Sequence, residues 1–110
     1  MNHNEFASIV EKQIQTCLHL LDAKSHEYTG DKESVNHDKL HNFKLASAIS
    51  ETTYEQALWG MLVKHLVSVH DLIERQAKGE VIPLTTWTEK ITDCINYLLI
   101  LRTMVETSQK

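Results

Sequence analysis

The sequence is poor in proline, glycine and cysteine, the residue types on which many turn-rich or disulfide-bonded folds depend. Its 110 residues include only one proline, three glycines and two cysteines. So few turn-forming residues argue against a turn-rich β fold. The cysteines, Cys17 and Cys94, are isolated inside helical patterns, so they form neither a CxxC motif nor a disulfide framework. We therefore expect two reduced thiols in a cytoplasmic protein.

Basic charge and long apolar runs are also missing. The formal net charge is −4, and this argues against duplex nucleic acid as a partner, because binding to phosphates needs a basic face. The segment 1–9 is polar and mixed, so we expect no secretory signal. No apolar run approaches the length that spans a bilayer, so we expect no membrane partner either.

The apolar residues recur instead at helical spacing. They predict four helices, near residues 4–28, 38–49, 54–78 and 86–107. The third helix opens with the capping-box pattern Thr53-x-x-Gln56, and Gly79 is its expected stop. Because the connections are short, we expect residues 1–110 to form a single all-α domain. Its predicted architecture is a compact antiparallel bundle of three long helices and one short helix.

The periodicity also predicts which side of each long helix is buried. Apolar residues at i, i+3 and i+4 define one inner stripe per helix. The expected stripes are Phe6, Val10, Ile14, Cys17, Leu18 and Leu21 in the first helix, Leu58, Leu62, Leu66, Val69 and Ile73 in the third, and Ile91, Ile95, Leu98 and Val105 in the last.

The last helix is apolar nearly all round over residues 97–101. One small bundle does not easily cover such a helix on every side, so we expect a homo-oligomer, at least a dimer. The same helix carries a polar stripe, in which Glu89, Asp93 and Asn96 share one face. Polar groups at the edge of a core need a partner, because their burial is otherwise unfavourable.

Two carboxylates one turn apart, Glu89 and Asp93, can hold a hard divalent cation such as Mg²⁺. For Glu89 an alternative is open, since Thr86-x-x-Glu89 is itself a capping box. For Asp93 the alternative is a structural ion pair with a lysine or arginine. Lys64 either neutralises a ligand phosphate or extends from the edge of the core into solvent.

Four pieces of the sequence, taken together, resemble a known family. They are Lys24-x-x-x-Tyr28 followed by Gly30, then Asn42-Phe43, then Lys64, then Glu89-x-x-x-Asp93-x-x-Asn96-Tyr97. Their order is similar to that in small helical phage and prophage proteins called nucleotide-modification-associated domain one. These proteins in turn look like relatives of the MazG-like, all-α nucleoside triphosphate pyrophosphohydrolases.

The resemblance implies an oligomeric helical bundle that binds a nucleotide between helices. We expect Lys24 and Lys64 to face phosphates, Tyr28 and Phe43 to stack on a base, and Glu89 and Asp93 to hold Mg²⁺. The predicted ligand contacts are Lys24, Tyr28, Asn42, Phe43, Lys64 and Asn96, with Glu89 and Asp93 as the metal ligands.

Three classes of function fit this pattern. One is a phage protein that binds a nucleotide, for example to sequester a host signalling nucleotide in the cytoplasm. The second is an Mg²⁺-dependent nucleoside triphosphate pyrophosphohydrolase, and the third is a non-catalytic protein-interaction module. Metal-dependent relatives carry a second acidic motif, E-x-x-E, which has no clear counterpart in this sequence. Its absence favours binding over hydrolysis.

Overall fold

The protein consists of four helices and, within the described residues, no strand. A computed structural model describes residues 1–29 and 40–109, with side chains described for 1–23 and 40–109. The helices are α1 (His3–Thr29), α2 (His41–Ser50), α3 (Tyr54–Ala77) and α4 (Leu84–Ser108). This confirms the all-α prediction with three long helices and one short one. None of these helices combines the length and the apolar character needed to cross a membrane, as far as the described residues go.

The ends of α3 follow their local sequence signals. The Thr53 hydroxyl accepts a hydrogen bond from the Gln56 backbone N–H at 3.1 Å, and the Gln56 side-chain oxygen accepts one from the Thr53 N–H at 2.9 Å. This is the predicted capping box, and it satisfies two N–H groups that a helix start leaves free. Gly79 adopts a positive φ of 94° just after the helix, as a helix stop requires.

α4 starts within two residues of the predicted position near 86, but its capping residue is not the predicted one. The helix begins at Leu84 with Pro83 as its N-cap, so Thr86 already lies inside the first turn. Proline suits this position because its φ is fixed and it has no N–H to leave unpaired. The Pro83 carbonyl accepts hydrogen bonds from the N–H groups of Thr86 and Trp87. The capping-box interpretation of Thr86 and Glu89 is therefore wrong.

α4 lies against both α3 and α1, and α2 also packs on α3 and α1. α3 and α4 pack antiparallel. His65, in the middle of α3, lies beside Asp93 in the first half of α4, and Tyr54 at the start of α3 lines the same cavity as Thr107 at the end of α4. α1 is fixed to α4 by a 2.7 Å hydrogen bond from the Gln13 amide to the Thr92 hydroxyl. The core between these helices consists of Phe43, Leu58, Leu62, Cys94, Ile100 and Met104.

The buried faces of α3 and α4 are rotated from the predicted stripes. α3 buries Leu58, Leu62 and Leu72, whereas Leu66 and Ile73 are exposed. The buried face of α4 comprises Thr92, Cys94, Asn96, Ile100 and Met104, and the exposed apolar residues of the predicted stripe are Leu98 and Val105. Because both helices carry apolar residues on more than one side, periodicity alone does not select the side that packs within the chain.

α1 is also less covered than its pattern predicts. Of its predicted inner stripe, Cys17 is buried and Leu21 partly buried, whereas the apolar residues Phe6, Val10, Ile14 and Leu18 are exposed. The prediction of a fully buried stripe on α1 is therefore wrong for the single chain. The reason is that α4 and α2 cover only part of the α1 surface.

The two thiols should be unreactive in the folded protein. Cys17 is fully buried and Cys94 nearly so; burial raises the pKa of the Cys94 thiol, and the Asp93 charge adds to this. Since the thiolate is the reactive form, we expect a chromogenic disulfide reagent at neutral pH to label neither cysteine until denaturant is added. Rapid labelling of the native protein would contradict this arrangement.

Candidate functional site

The polar stripe of α4 meets α3 through an Asp–His pair. Asp93 Oδ2 lies 3.5 Å from His65 Nδ1, with the two side chains 17% and 31% exposed. The sequence indicated that Asp93 needs a partner, with a ligand or a structural lysine or arginine as the alternatives. The partner within the chain is a histidine. A histidine differs from those cations because it can release its proton and remain as a neutral imidazole.

Aromatic rings extend the site from His65 towards α2. The His65 and Tyr97 rings lie with centroids 4.9 Å apart at 31°, and Phe43 meets Tyr97 edge-on at 6.3 Å. Such contacts fix the orientation of the Tyr97 ring. Burial raises the pKa of the Tyr97 hydroxyl, and the negative charge of Asp93 raises it further. Tyr97 therefore keeps its proton at neutral pH and remains a hydrogen-bond donor.

Asn96 is the least satisfied polar side chain of this region. It is only 6% exposed, and among the described residues its side-chain oxygen Oδ1 has no hydrogen-bond partner. A buried acceptor without a partner destabilises a fold by about 1–3 kcal/mol. Asn96 lies within one helical turn of Asp93 and next to Tyr97 in the chain. A donor supplied by a ligand would remove this penalty.

Glu89 and Asp93 face different neighbours. Glu89 is exposed and lines a groove between α1 and α4 of about 380 Å³, together with Thr16, Leu20, Leu84, Thr85, Thr88 and Thr92. Asp93 faces His65 on α3 instead. The described residues contain no group of three or more histidine, cysteine or acidic side chains placed to hold a metal. Carboxylates suit Mg²⁺ in kind; of this pair Glu89 is exposed and Asp93 lies against α3.

The other predicted contacts are spread over the surface or lie outside the description. Lys64 and Asn42 are exposed on α3 and α2. Phe43 is buried in the core, where its ring supports Tyr97. The side chains of Lys24 and Tyr28 lie outside the described residues. Of the predicted set, the structure thus gathers Asp93, next to His65, and Phe43, through Tyr97. Asn96 is buried one turn after Thr92, which is bonded to α1.

Two members of the cluster, His65 and Tyr97, were not among the predicted contacts. His65 lies three residues after Leu62 and seven after Leu58, so it belongs to the buried stripe of α3. Tyr97 lies four residues after Asp93 and shares its face. A search for polar or aromatic residues on these two stripes would have found both, although the pairing itself depends on how α3 and α4 align.

No protein-family model, curated protein or solved structure matches this chain.

Proposed function

We propose that this chain binds a nucleotide in a pocket between its helices, around Asn96. The observation that carries the proposal is the buried Asn96 oxygen without a partner. A nucleotide offers N–H and O–H donors for such an acceptor, and an aromatic base that can lie against a histidine or tyrosine ring. His65 and Tyr97 provide such rings beside Asp93.

The resemblance to phage nucleotide-modification-associated proteins supports the same ligand class. On that basis the chain is a phage-type protein acting in the cytoplasm, where it sequesters a host signalling nucleotide. Lys24 and Lys64 contact its phosphates, and Tyr28 and Asn42 contribute further contacts. A protein that sequesters a nucleotide has to bind it without cleaving it, so this role does not require the acidic motif that the sequence lacks.

A second part of the proposal is that the chain assembles as a homo-oligomer. Large apolar side chains are exposed on all four helices, for example Phe6 on α1, Ile49 on α2, Val63 on α3 and Leu98 on α4. Burial of such side chains between copies is the common way to remove them from water.

A panel of nucleotides, tested by thermal shift with and without Mg²⁺, tests the binding proposal. At a ligand concentration 100 times the dissociation constant we expect a stabilisation of about 2.7 kcal/mol, which corresponds to a rise in melting temperature on the order of 10 °C. Chromatography of the incubated ligand should recover it unchanged. A pyrophosphohydrolase would instead release a monophosphate, and no shift with any nucleotide would favour an interaction module.

The comparison of thermal shifts with and without Mg²⁺ tests whether the predicted carboxylates bind the metal. Glu89 has no capping role in the structure, so the variant Glu89→Gln changes only its charge and its ability to bind metal. If Glu89 is a metal ligand, Glu89→Gln binds nucleotide with no further gain from Mg²⁺. If the wild type itself shows no Mg²⁺ dependence, the predicted cofactor is wrong.

A further inference from the structure

α1 is packed against the rest of the chain more loosely than the other long helices. Of the α1 side chains that the structure describes, Cys17 alone is buried, and Gln13, Leu20 and Leu21 are partly covered. α3 buries three side chains and α4 five. The backbone of α1 lies against α4 and α2, and the described residues place no part of it against α3. An element with few buried contacts belongs to the part of a fold that opens most easily.

A polar contact holds the middle of α1 to α4. The Gln13 amide donates to the Thr92 hydroxyl at 2.7 Å, and it lies 3.3 Å from Cys17 Sγ. Such a bond shifts a folding equilibrium by only about fivefold, because water replaces the lost partner when the bond opens. Before this contact, residues 1–12 are exposed, Phe6 and Val10 included. Detachment of α1 therefore uncovers little apolar surface that is not already in water.

The core does not depend on α1. Within the described residues, its six buried side chains, from Phe43 to Met104, belong to α2, α3 and α4, and α1 adds the partly buried Leu21. The predicted capping box of α3 and the packing of α3 on α4 also lie outside α1. Loss of the α1 contacts therefore leaves the interactions that hold the other three helices together.

The side of α4 that faces α1 includes Asn96. Asn96 follows Thr92 by one turn and so shares its face, and Thr92 is bonded to α1. Asn96 is 6% exposed and its Oδ1 has no partner among the described residues. A ligand can reach this oxygen only after a neighbouring element moves. α1 meets both requirements, since it contacts this face and is loosely packed.

We propose that α1 detaches from α4 as a unit while α2, α3 and α4 stay folded, and that this opening exposes the Asn96 face of α4. The opening itself is independent of nucleotide binding. Its role, as the route by which a nucleotide reaches Asn96, rests on the proposed function.

The two thiols report separately on the two parts of the chain, because Cys17 lies in α1 and Cys94 in the core. The full-length protein is treated with iodoacetamide at several denaturant concentrations below the unfolding transition. Digestion and mass spectrometry then give the labelling rate at each cysteine, which is divided by the rate of the same cysteine in the unfolded chain. This ratio measures how often each thiol is exposed.

An α1 that opens by itself exposes Cys17 more often than Cys94. We expect the corrected rate at Cys17 to be about tenfold higher or more, which corresponds to about 1.4 kcal/mol between the two opening reactions. It should also depend less on denaturant, because a local opening exposes less surface. The native exposures of 0% for Cys17 and 9% for Cys94 predict the opposite order. Equal corrected rates with equal denaturant dependence would overturn the proposal.

The variant Leu72→Ala tests whether the core stays folded in the open state. Leu72 is 3% exposed on α3, and its truncation should speed labelling of Cys94 about 30-fold or more, equivalent to about 2 kcal/mol. Cys17 should keep its rate, because the variant affects the closed and open states equally. Acceleration of both thiols by the same factor would overturn the proposal. Ile73→Ala is the matched control, since Ile73 is 50% exposed on the same helix, and Leu72→Val gives the same comparison if Leu72→Ala fails to fold.

The labelling experiment contains no nucleotide, so the two proposals fail separately. If Cys17 opens by itself but no nucleotide in the panel shifts the melting temperature, the α1 opening stands and the proposed function is wrong. If a nucleotide shifts the melting temperature but Cys17 and Cys94 become exposed only together, the proposed function stands and the α1 opening is wrong.

Discussion

Replacement of Asn96 by leucine should raise the free energy of unfolding of the unliganded chain by about 1–3 kcal/mol, the penalty of a buried unpaired polar group. Asn96 is almost completely buried and its side-chain oxygen has no partner among the described residues. Leucine has a similar size and no polar atom to satisfy. If the oxygen receives a donor from a nucleotide, the same variant should lose its nucleotide-induced thermal shift.

Denaturant unfolding at a fixed chain concentration measures the first effect, and thermal shift with nucleotide measures the second. Asn4→Leu is a matched control, because Asn4 is exposed in the first turn of α1 and such changes are usually within about 0.5 kcal/mol. A strongly destabilised Asn96→Leu protein would mean that the Asn96 amide has a structural role. A stabilised variant that still binds nucleotide would remove Asn96 from the ligand site.

The number of helices and several of their ends follow from local chemistry alone. The capping box at Thr53 and the glycine at position 79 act within one turn, so the sequence predicts them without knowledge of the tertiary structure. The capping residue of α4 was predicted wrongly because two local signals compete there. Pro83 sets the first turn through its fixed φ, and the later threonine signal at Thr86 falls inside the helix.

The side of each helix that is buried does not follow from local chemistry. α3 has one apolar face through Leu58 and Leu62 and another through Val63 and Leu66. Both satisfy helical periodicity, and only the packing of α4 and α2 selects the first for the core. When a helix carries more apolar stripes than its own fold covers, a prediction made from stripes becomes ambiguous.

In the candidate site, too, some features can be predicted from the local sequence and others depend on how the helices pack. The polar residues Asp93 and Asn96 stand out in the sequence because they interrupt an apolar helix. The structure buries Asn96 and leaves Asp93 partly exposed beside His65. Glu89, one turn earlier, is exposed instead. The pairing of Asp93 with His65 depends on the alignment of α3 against α4, which no spacing within either helix determines.

Asp93→Ala should abolish nucleotide-dependent stabilisation while changing the free energy of unfolding of the unliganded chain by less than about 1 kcal/mol. The Asp93–His65 pair is partly exposed, and ion pairs of this kind are usually worth about 0–1 kcal/mol. Alanine also stabilises the helix by a few tenths of a kcal/mol relative to aspartate, because its helix propensity is higher. A fully buried pair would behave differently, because removal of one charge then costs about 3–5 kcal/mol.

The variant His65→Gln separates the two roles that Asp93 can have towards a ligand. If Asp93 acts only by orienting His65, then Asp93→Ala, His65→Gln and the double variant should weaken nucleotide binding equally, since the two residues form one unit. If Asp93 contacts the ligand or its metal, Asp93→Ala should weaken binding more than His65→Gln does. Titration of the thermal shift against nucleotide concentration measures these differences. Strong destabilisation of unliganded Asp93→Ala, with nucleotide binding retained, would identify Asp93 as a structural anchor and remove it from the site.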